Sequence, residues 1–490
     1  MTNTLSSLGD PTACVGMLVG GEPITRSSGG THEHLYPATG RPNATVALAG
    51  ADEIDRAVDA AWQAQREWMS LAVDRRRDLL IDLADAVHDN LDGLARLNVH
   101  DYAVPISFAG TAVLLERFLR HFAGYVDKPH GASTPVSGSF DVNLIEREPY
   151  GVVGVITPWN GSLVVTASGV VPALAAGNAV VLKPSELAPL AALRFGELCI
   201  EVGLPPGLVN VVPAGPDGGD ALVRHPGIRK VHFTGGDATA RKVLAAAAEN
   251  LTPVVTELGG KSANIVFDDA DLDAAVTLSA HQGPLMQSGQ SCACASRILV
   301  HESVYDAFVE RFVAVIESTK VGDPLDPAVV FGPVVSQAAA GRIVAVVDDA
   351  LRDGAGELLT GGKRMGGQLA QGYYIEPTVF GAVDNGSTLA QTETFGPVVS
   401  VIRFGDEADA VRLANDTPYG LNAFVQTRDL GRAHRVARRL EAGAVWVNQF
   451  SDIAPQGPYG GYKQSGFGRT GGLEGLHEFM QIKNIRIGMR

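Results

Sequence analysis

The chain predicts an α/β protein built on parallel sheets, and three observations carry that reading. Between residues 151 and 260, short apolar runs alternate with helical stretches, the pattern of a parallel sheet covered by helices. The same alternation resumes after Lys261 and continues through Val445-Trp446-Val447-Asn448. At 490 residues the chain is too long for one ordinary core, so two or three domains are expected.

Taken in order, residues 1–50 alternate short apolar runs with Gly and Pro, as strands and turns do. From Ala51 the pattern turns helical: Asp52 can cap, and Ile54, Val58, Ala61 and Trp62 recur on one face. Helical character continues through Arg75-Arg76-Arg77 to Leu97 and returns from Ala112 to Val126, with the charges on solvated faces. Residues 139–148 (Ser139-Phe140-Asp141-Val142-Asn143-Leu144-Ile145-Glu146-Arg147-Glu148) then alternate polar and apolar, as a half-exposed strand would. A strand that leaves the main body in this way needs a partner elsewhere. Strands follow at 152–156, 179–182, 208–212, 230–233 and 253–256, with helices at 189–202 and 238–250 among the connections. Ligands of such sheets bind beyond the carboxyl ends of the strands.

Composition narrows the function classes. A formal net charge of −15 argues against a nucleic-acid binder, which would show a basic face. The 57 glycines suit tight turns and close backbone approaches to a ligand. Four scattered cysteines, Cys14, Cys199, Cys292 and Cys294, do not make a disulfide framework, and no second Cys/His pair completes a zinc site. Free thiols in the cytoplasm fit better. No basic start followed by an apolar run suggests a signal peptide. The uncharged stretch from Gly161 to Leu182 is interrupted by Ser168, Gly169, Pro172, Gly177 and Asn178, so a membrane span is rejected.

The chemistry centres on two stretches. Thr256-Glu257-Leu258-Gly259-Gly260-Lys261 offers a carboxylate beside two glycines. Ser288-Gly289-Gln290-Ser291-Cys292-Ala293-Cys294-Ala295-Ser296-Arg297 offers a thiol in a small-residue turn, followed by the strand-like Ile298-Leu299-Val300. A thiol and a carboxylate can attack a carbonyl covalently and then activate water, provided folding brings them together. No G-x-G-x-x-G stands in a strand-to-helix context. Phe233-Thr234-Gly235-Gly236 instead follows a strand and opens a helix, a place where a pyrophosphate could meet free backbone N–H groups. Lys183-Pro184-Ser185-Glu186 follows another strand end, where Glu186 could accept from ribose hydroxyls.

The sequence E-L-G-G-K, followed by G-Q-x-C and then S-R, resembles the aldehyde dehydrogenase superfamily, in its NAD(P)-dependent, hydrolytic, non-acylating type. The resemblance runs from Tyr36-Pro37-Ala38-Thr39-Gly40 to Pro458-Tyr459-Gly460-Gly461-Tyr462-Lys463-Gln464-Ser465-Gly466. It implies a Rossmann-like cofactor domain (1–125 and 149–256), a second α/β catalytic domain (257–450) and a small β oligomerisation domain (126–148 and 476–490). Residues 451–475 would return past the substrate entrance, and Ile482 to Ile487 would be the tail strand. A homodimer or homotetramer is expected.

By the same resemblance Cys292 is the nucleophile, Glu257 the base and Asn160 an oxyanion donor beside the Cys292 backbone N–H. Cys294 packs nearby. Ile156, Trp159, Lys183, Glu186, Gly215, Phe233, Thr234, Gly235, Leu258, Glu393 and Phe395 would hold the cofactor. Glu186 would repel a 2′-phosphate, so NAD is expected over NADP. Lys183 is a candidate for lowering the thiol pKa.

Several positions depart from the family pattern. Gly236 stands where Ser is frequent, Ala240 where Gly is, and Ala339 where a ribose-binding Gln is. Gly169 replaces a common Lys, and Thr470 an acid thought to relay the proton of Glu257. Water or another acid such as Glu474 would take that relay. Small residues at Gly161 and Ser168, with Met286, Phe450 and Ile453 as apolar wall, suggest a wide tunnel for a bulky or long apolar aldehyde. The competing readings are a CoA-acylating dehydrogenase, an inactive structural or binding relative, and a cysteine hydrolase. The intact Glu257, Cys292 and Asn160 and the lack of a matching His motif speak against them.

Overall fold

The computed structural model describes residues 4, 14–108, 110–136 and 141–488. Most of the first thirteen residues, the last two, and Ser139 and Phe140 of the expected half-exposed strand lie outside the described residues.

Eight strands form the first sheet, in the spatial order Gly466–Phe467, Val254–Glu257, Lys230–Thr234, Val152–Ile156, Ala179–Lys183, Val209–Val211, Met17–Val19 and Glu22–Ile24. The five from Val254–Glu257 to Val209–Val211 are parallel. The chain enters this set at its centre, Val152–Ile156, and builds outward on one side. It then jumps back to build the other side from Lys230–Thr234. The crevice between the carboxyl ends of Val152–Ile156 and Lys230–Thr234 is therefore the topological switch point, where open α/β sheets bind ligands. Every residue of Val152–Ile156 and Ala179–Lys183 is buried, which explains their unbroken apolar character.

A second sheet runs Glu357–Thr360, Thr378–Gly381, Val398–Phe404, Arg297–His301, Ala263–Val266, Asn422–Gln426, Ala444–Val447. It is parallel except at its first pair. Glu257 ends the outer parallel strand of the first sheet, and only five residues separate it from Ala263–Val266 in the second. The two sheets thus meet at the E-L-G-G-K stretch. The antiparallel strand Gly466–Phe467 seals this edge, pairing Gly466 with Glu257.

In a third sheet, Met480–Ile487 pairs antiparallel with Val142–Pro149 from Met480↔Pro149 to Ile487↔Val142, and Ala132–Ser133 lies on the far side. The tail strand is two residues longer at its start than the sequence suggests. Ile482 and Ile487 stay 64% and 48% exposed.

Two local expectations need correction. Asp52 does not cap the helix Ala51–Ser70, whose N-cap is Gly50; the Glu53 carboxylate accepts the Gly50 N–H at 3.0 Å and the Ser28 hydroxyl at 2.7 Å. The long helical run after it is broken into Ala51–Ser70, Val73–Asp89 and Leu91–Tyr102. The uncharged stretch after Gly161 folds as the helix Ser162–Ala175 and the buried strand Ala179–Lys183. Among the described residues no helix is long and apolar enough to cross a membrane.

Candidate active site

Glu257 is buried, and neither of its carboxylate oxygens has a hydrogen-bond partner. Burial pushes its pKa well up; the nearby Arg469 opposes the shift and Glu478 adds to it. Gly460 faces the carboxyl so closely that a Cβ there would lie 2.7 Å from Glu257 Oε1. Gly259 has a packing reason, since a Cβ there would collide with Glu393 Oε2, and Glu393 Oε1 accepts the Gly260 N–H at 2.9 Å. Burial raises the pKa of Glu393 as well.

Cys292 sits on the turn between a short 3-10 segment, Met286–Gly289, and the strand Arg297–His301. The turn is held under strain, with Gln287, Ser288 and Gly289 all at positive φ (50°, 56° and 71°). Its anchors are buried: Ser288 Oγ donates to Gly332 O at 2.7 Å, and Gln290 Oε1 accepts from Val335 N at 2.8 Å. Behind it, the Arg297 guanidinium donates to the Lys261, Leu413 and Ala414 carbonyls and to Asn385 Oδ1, at 2.8–2.9 Å. The Cys292 thiol is pushed up to about 12 by burial first, then by the negative charges of Glu393 and Glu257. The Lys183 ammonium lies at the end of another strand, 3.9 Å from Glu186 Oε2. Cys294 is buried alongside, its sulfur 3.7 Å from Met286 O.

Asn160 follows the strand Val152–Ile156 and donates one amide hydrogen from Nδ2 to Gln290 O at 2.9 Å. An amide carries two such hydrogens, so the second is left for another acceptor at the Cys292 turn. Trp159 beside it meets the edge of Phe395, ring centroids 5.4 Å apart, across the gap between the two sheets.

These groups converge on one cavity of about 470 Å³. Cys292, Glu257 and Asn160 line it; so do Trp159, Thr234, Gly235, Leu258, Glu393 and Phe395, and Gly161, Ser168, Met286 and Ile453. Phe233 and Ile156 are buried at strand ends behind it. Lys183, Glu186 and Gly215 follow neighbouring strands, beyond this lining. Phe450 does not join the wall and is 50% exposed. The reason is local: Asn448 turns the chain at φ 52°, clasped to Thr427 by two hydrogen bonds of 3.0 and 2.8 Å, so Phe450 points outward.

The cofactor side has the character a dinucleotide needs. The helix Asp237–Ala248 starts at Gly236 with no side-chain cap, and a Cβ built on Gly236 or Gly215 would meet nothing within 4 Å. Unused N-terminal N–H groups facing open space fit a pyrophosphate.

A family model for the aldehyde dehydrogenase family matches residues 24–485. The chain belongs to the aldehyde dehydrogenase family. Solved structures agree. It is 42% identical to a putative aldehyde dehydrogenase from Burkholderia cenocepacia, covering 96% of this chain and 97% of that one, TM-score 0.94. It is 36% identical to betaine aldehyde dehydrogenase from Staphylococcus aureus in complex with NAD+, covering 99% and 95%, TM-score 0.94. It is also 38% identical to PnpE from Pseudomonas sp. WBC-3, covering 97% and 98%, TM-score 0.94.

Within this aldehyde dehydrogenase, the departures have visible surroundings. Gly169 leaves room for a buried histidine, since a Cβ there would lie 3.0 Å from His232 Nδ1. Thr470 is buried and lines the cavity, its hydroxyl 3.4 Å from Tyr459 O. Glu474 sits in the first turn of the helix Gly472–His477, and the acid whose charge acts on Glu257 is instead Glu478, paired with Lys230 at 3.0 Å. Tyr459 is the other residue that sequence reasoning missed: it lines the cavity beside Cys292. Its place inside the Pro458–Gly466 motif was visible in the sequence, but a Tyr in such a run carries no sign of what its hydroxyl touches.

Proposed function

We propose that this chain oxidises an aldehyde to a carboxylic acid with NAD, through a covalent intermediate on Cys292. The observation that carries the reading is the convergence of a thiol, an unpartnered buried carboxyl and a half-used amide on one cavity. The Cys292 thiolate forms an S–C bond to the aldehyde carbon, and the oxygen becomes an oxyanion. The second Asn160 N–H and the Cys292 backbone N–H receive that charge; losing one such donor typically costs about 2.7–4 kcal/mol of barrier. Bound NAD supplies the acceptor for the hydride that leaves the carbon, and a thioester remains on Cys292. Glu257 then takes a proton from water, the hydroxide adds, the C–S bond breaks and the acid departs.

In this reading Trp159, Thr234, Gly235, Leu258, Glu393 and Phe395, with Ile156 and Phe233 behind them, hold the nicotinamide and pyrophosphate side. Lys183, Glu186 and Gly215 take the adenosine ribose side. Glu186 favours NAD over NADP, since a carboxylate repels a 2′-phosphate. Residues 1–125 and 149–256 form the cofactor domain, 257–450 the catalytic domain, 451–475 the returning segment, and 126–148 with 476–490 the oligomerisation strands. The exposed Ile482 and Ile487 on the tail strand support a homodimer or homotetramer. Four unpaired cysteines support a cytoplasmic setting.

The substrate class we assign is a bulky or long apolar aldehyde. Leu114, Val164, Val165, Met286 and Ile453 give the cavity an apolar wall, and Gly161 and Ser168 leave it wide. Among the described residues the one arginine in the lining, Arg342, is turned away to the Thr394 and Phe395 carbonyls, so none of them offers a free cation to a substrate carboxylate there. The test is an aldehyde panel followed by reduced-cofactor absorbance, with NAD and NADP and with and without CoA. The expected result is an acid product independent of CoA, a higher kcat/KM with NAD, and preference for aromatic or long-chain aldehydes. Acetaldehyde as best substrate overturns the substrate class, and an acyl-CoA product overturns the hydrolytic step.

A further inference from the structure

The nucleophile sits in hostile electrostatics. The two charged groups that face the Cys292 sulfur, Glu257 from the first sheet and Glu393 from the loop before Val398–Phe404, are both acids, and Cys294 packs on the same turn. The two acids disfavour a thiolate. One polar group on the returning segment does the opposite. Tyr459 lines the same cavity as Cys292, its hydroxyl acts to lower the thiol pKa, and its ring is buried (8% exposed) in an apolar cluster with Leu278, Ala295, Leu421, Phe424 and Trp446 against which Cys292 packs. The same hydroxyl accepts a hydrogen bond from Asn422 Nδ2 at 3.1 Å. Asn422 is itself buried (3% exposed) at the start of the central-sheet strand Asn422–Gln426, so its position is fixed by the fold.

The order of donation matters. A tyrosyl oxygen that already accepts from an amide N–H keeps one hydrogen to give, and chained hydrogen bonds strengthen one another in a low-dielectric site. With Asn422 on one side, that hydrogen is free for the sulfur that packs against the ring. We propose that Tyr459, oriented by Asn422, donates a hydrogen bond to the Cys292 sulfur and stabilises the thiolate that attacks the aldehyde. The tyrosyl O–H bond stays intact throughout. Tyr459 touches the reacting sulfur and is a catalytic residue in that sense; Asn422 is a positioning residue. Three separate parts of the fold then act on the thiol: the Cys292 turn, the Asn422 strand and the returning segment.

The inference rests on Cys292 being the nucleophile, so the test reads the thiol without needing turnover. The rate of iodoacetamide alkylation of Cys292 is followed against pH by peptide mass spectrometry, in the wild type, in Tyr459→Phe and in Asn422→Asp. Folding of each variant is checked by NAD binding and circular dichroism. Tyr459→Phe should move the alkylation midpoint up in pH and slow labelling near neutrality on the order of tenfold, which is about one pH unit of thiolate stabilisation. Oxidation by this variant should fall by the same factor as its alkylation while NAD binding is unchanged, which a merely structural role for the ring would not produce. Asn422→Asp should shift the profile in the same direction, because a carboxylate accepts the hydroxyl hydrogen and takes it from sulfur. An alkylation profile unchanged in Tyr459→Phe overturns the proposal while leaving Cys292 as nucleophile. If alkylating Cys292 in the wild type spares activity, the nucleophile assignment fails and the proposal with it.

Discussion

A buried carboxyl without a donor is held toward its protonated form, because an ion cannot be formed there without solvent or a partner. Glu257 is in that position, and the base role we propose for it requires that it first lose its proton. In the proposed mechanism Cys292 attacks as a thiolate, yet burial and two neighbouring acids lift its thiol to about 12. Both groups work deprotonated and both are shifted upward, so the signs add. The oxidation rate should rise with pH from about 6 to about 9, roughly tenfold per unit wherever a single deprotonation limits. A kcat/KM profile that is flat or falls over this range would contradict that electrostatic picture. The Cys292 backbone pulls the other way, and so, in our proposal, does Tyr459.

At the scale of elements, the helix Ser162–Ala175 divides the labour of the site. Its first turn follows Asn160, and its Val164, Val165 and Ser168 face the cavity. Replacing Ser168 with Phe should fill the tunnel: kcat/KM for a long or aromatic aldehyde should fall at least about tenfold while that for propanal changes less, since pocket discrimination of this kind is worth about 1–3 kcal/mol. Equal losses on both substrates would place Ser168 outside the substrate path. The strands behind the site were legible in the sequence because a parallel strand buried on both faces is a continuous apolar run, as at Val152–Ile156 and Ala179–Lys183. Their exact ends were less so, since Lys183, Thr234 and Glu257 extend three strands by one polar residue each. Other features depend on tertiary crossings that no local pattern encodes. Gly259 makes room for Glu393, over a hundred positions later; Phe450 is turned outward by the clasp of Asn448 on Thr427; Glu478, not Glu474, acts on Glu257.

Across the whole molecule, the two parallel sheets meet at Glu257, and the returning segment crosses back to close the seam. Leu258 N donates to Ser465 O at 3.0 Å, Ser465 Oγ donates to Gly259 O at 2.7 Å, and Gly420 N donates to Ser465 Oγ at 3.0 Å. The carboxyl, the thiol and the cofactor crevice are thereby held around one cavity. The third sheet stands apart, with the Met480–Ile487 strand at its edge. An open edge carrying exposed isoleucines is a pairing surface. Ile482→Arg should therefore lower the assembly state in light scattering, and an unchanged mass would remove that strand from the interface. The central claim, a covalent thioester on Cys292 released by Glu257, has a more direct test in rapid-mixing kinetics of reduced-cofactor formation. Glu257→Gln should release about one equivalent per subunit and then stall, and Cys292→Ser should release none. Sustained multiple turnover by Glu257→Gln, or any full-rate oxidation by Cys292→Ser, would contradict the account.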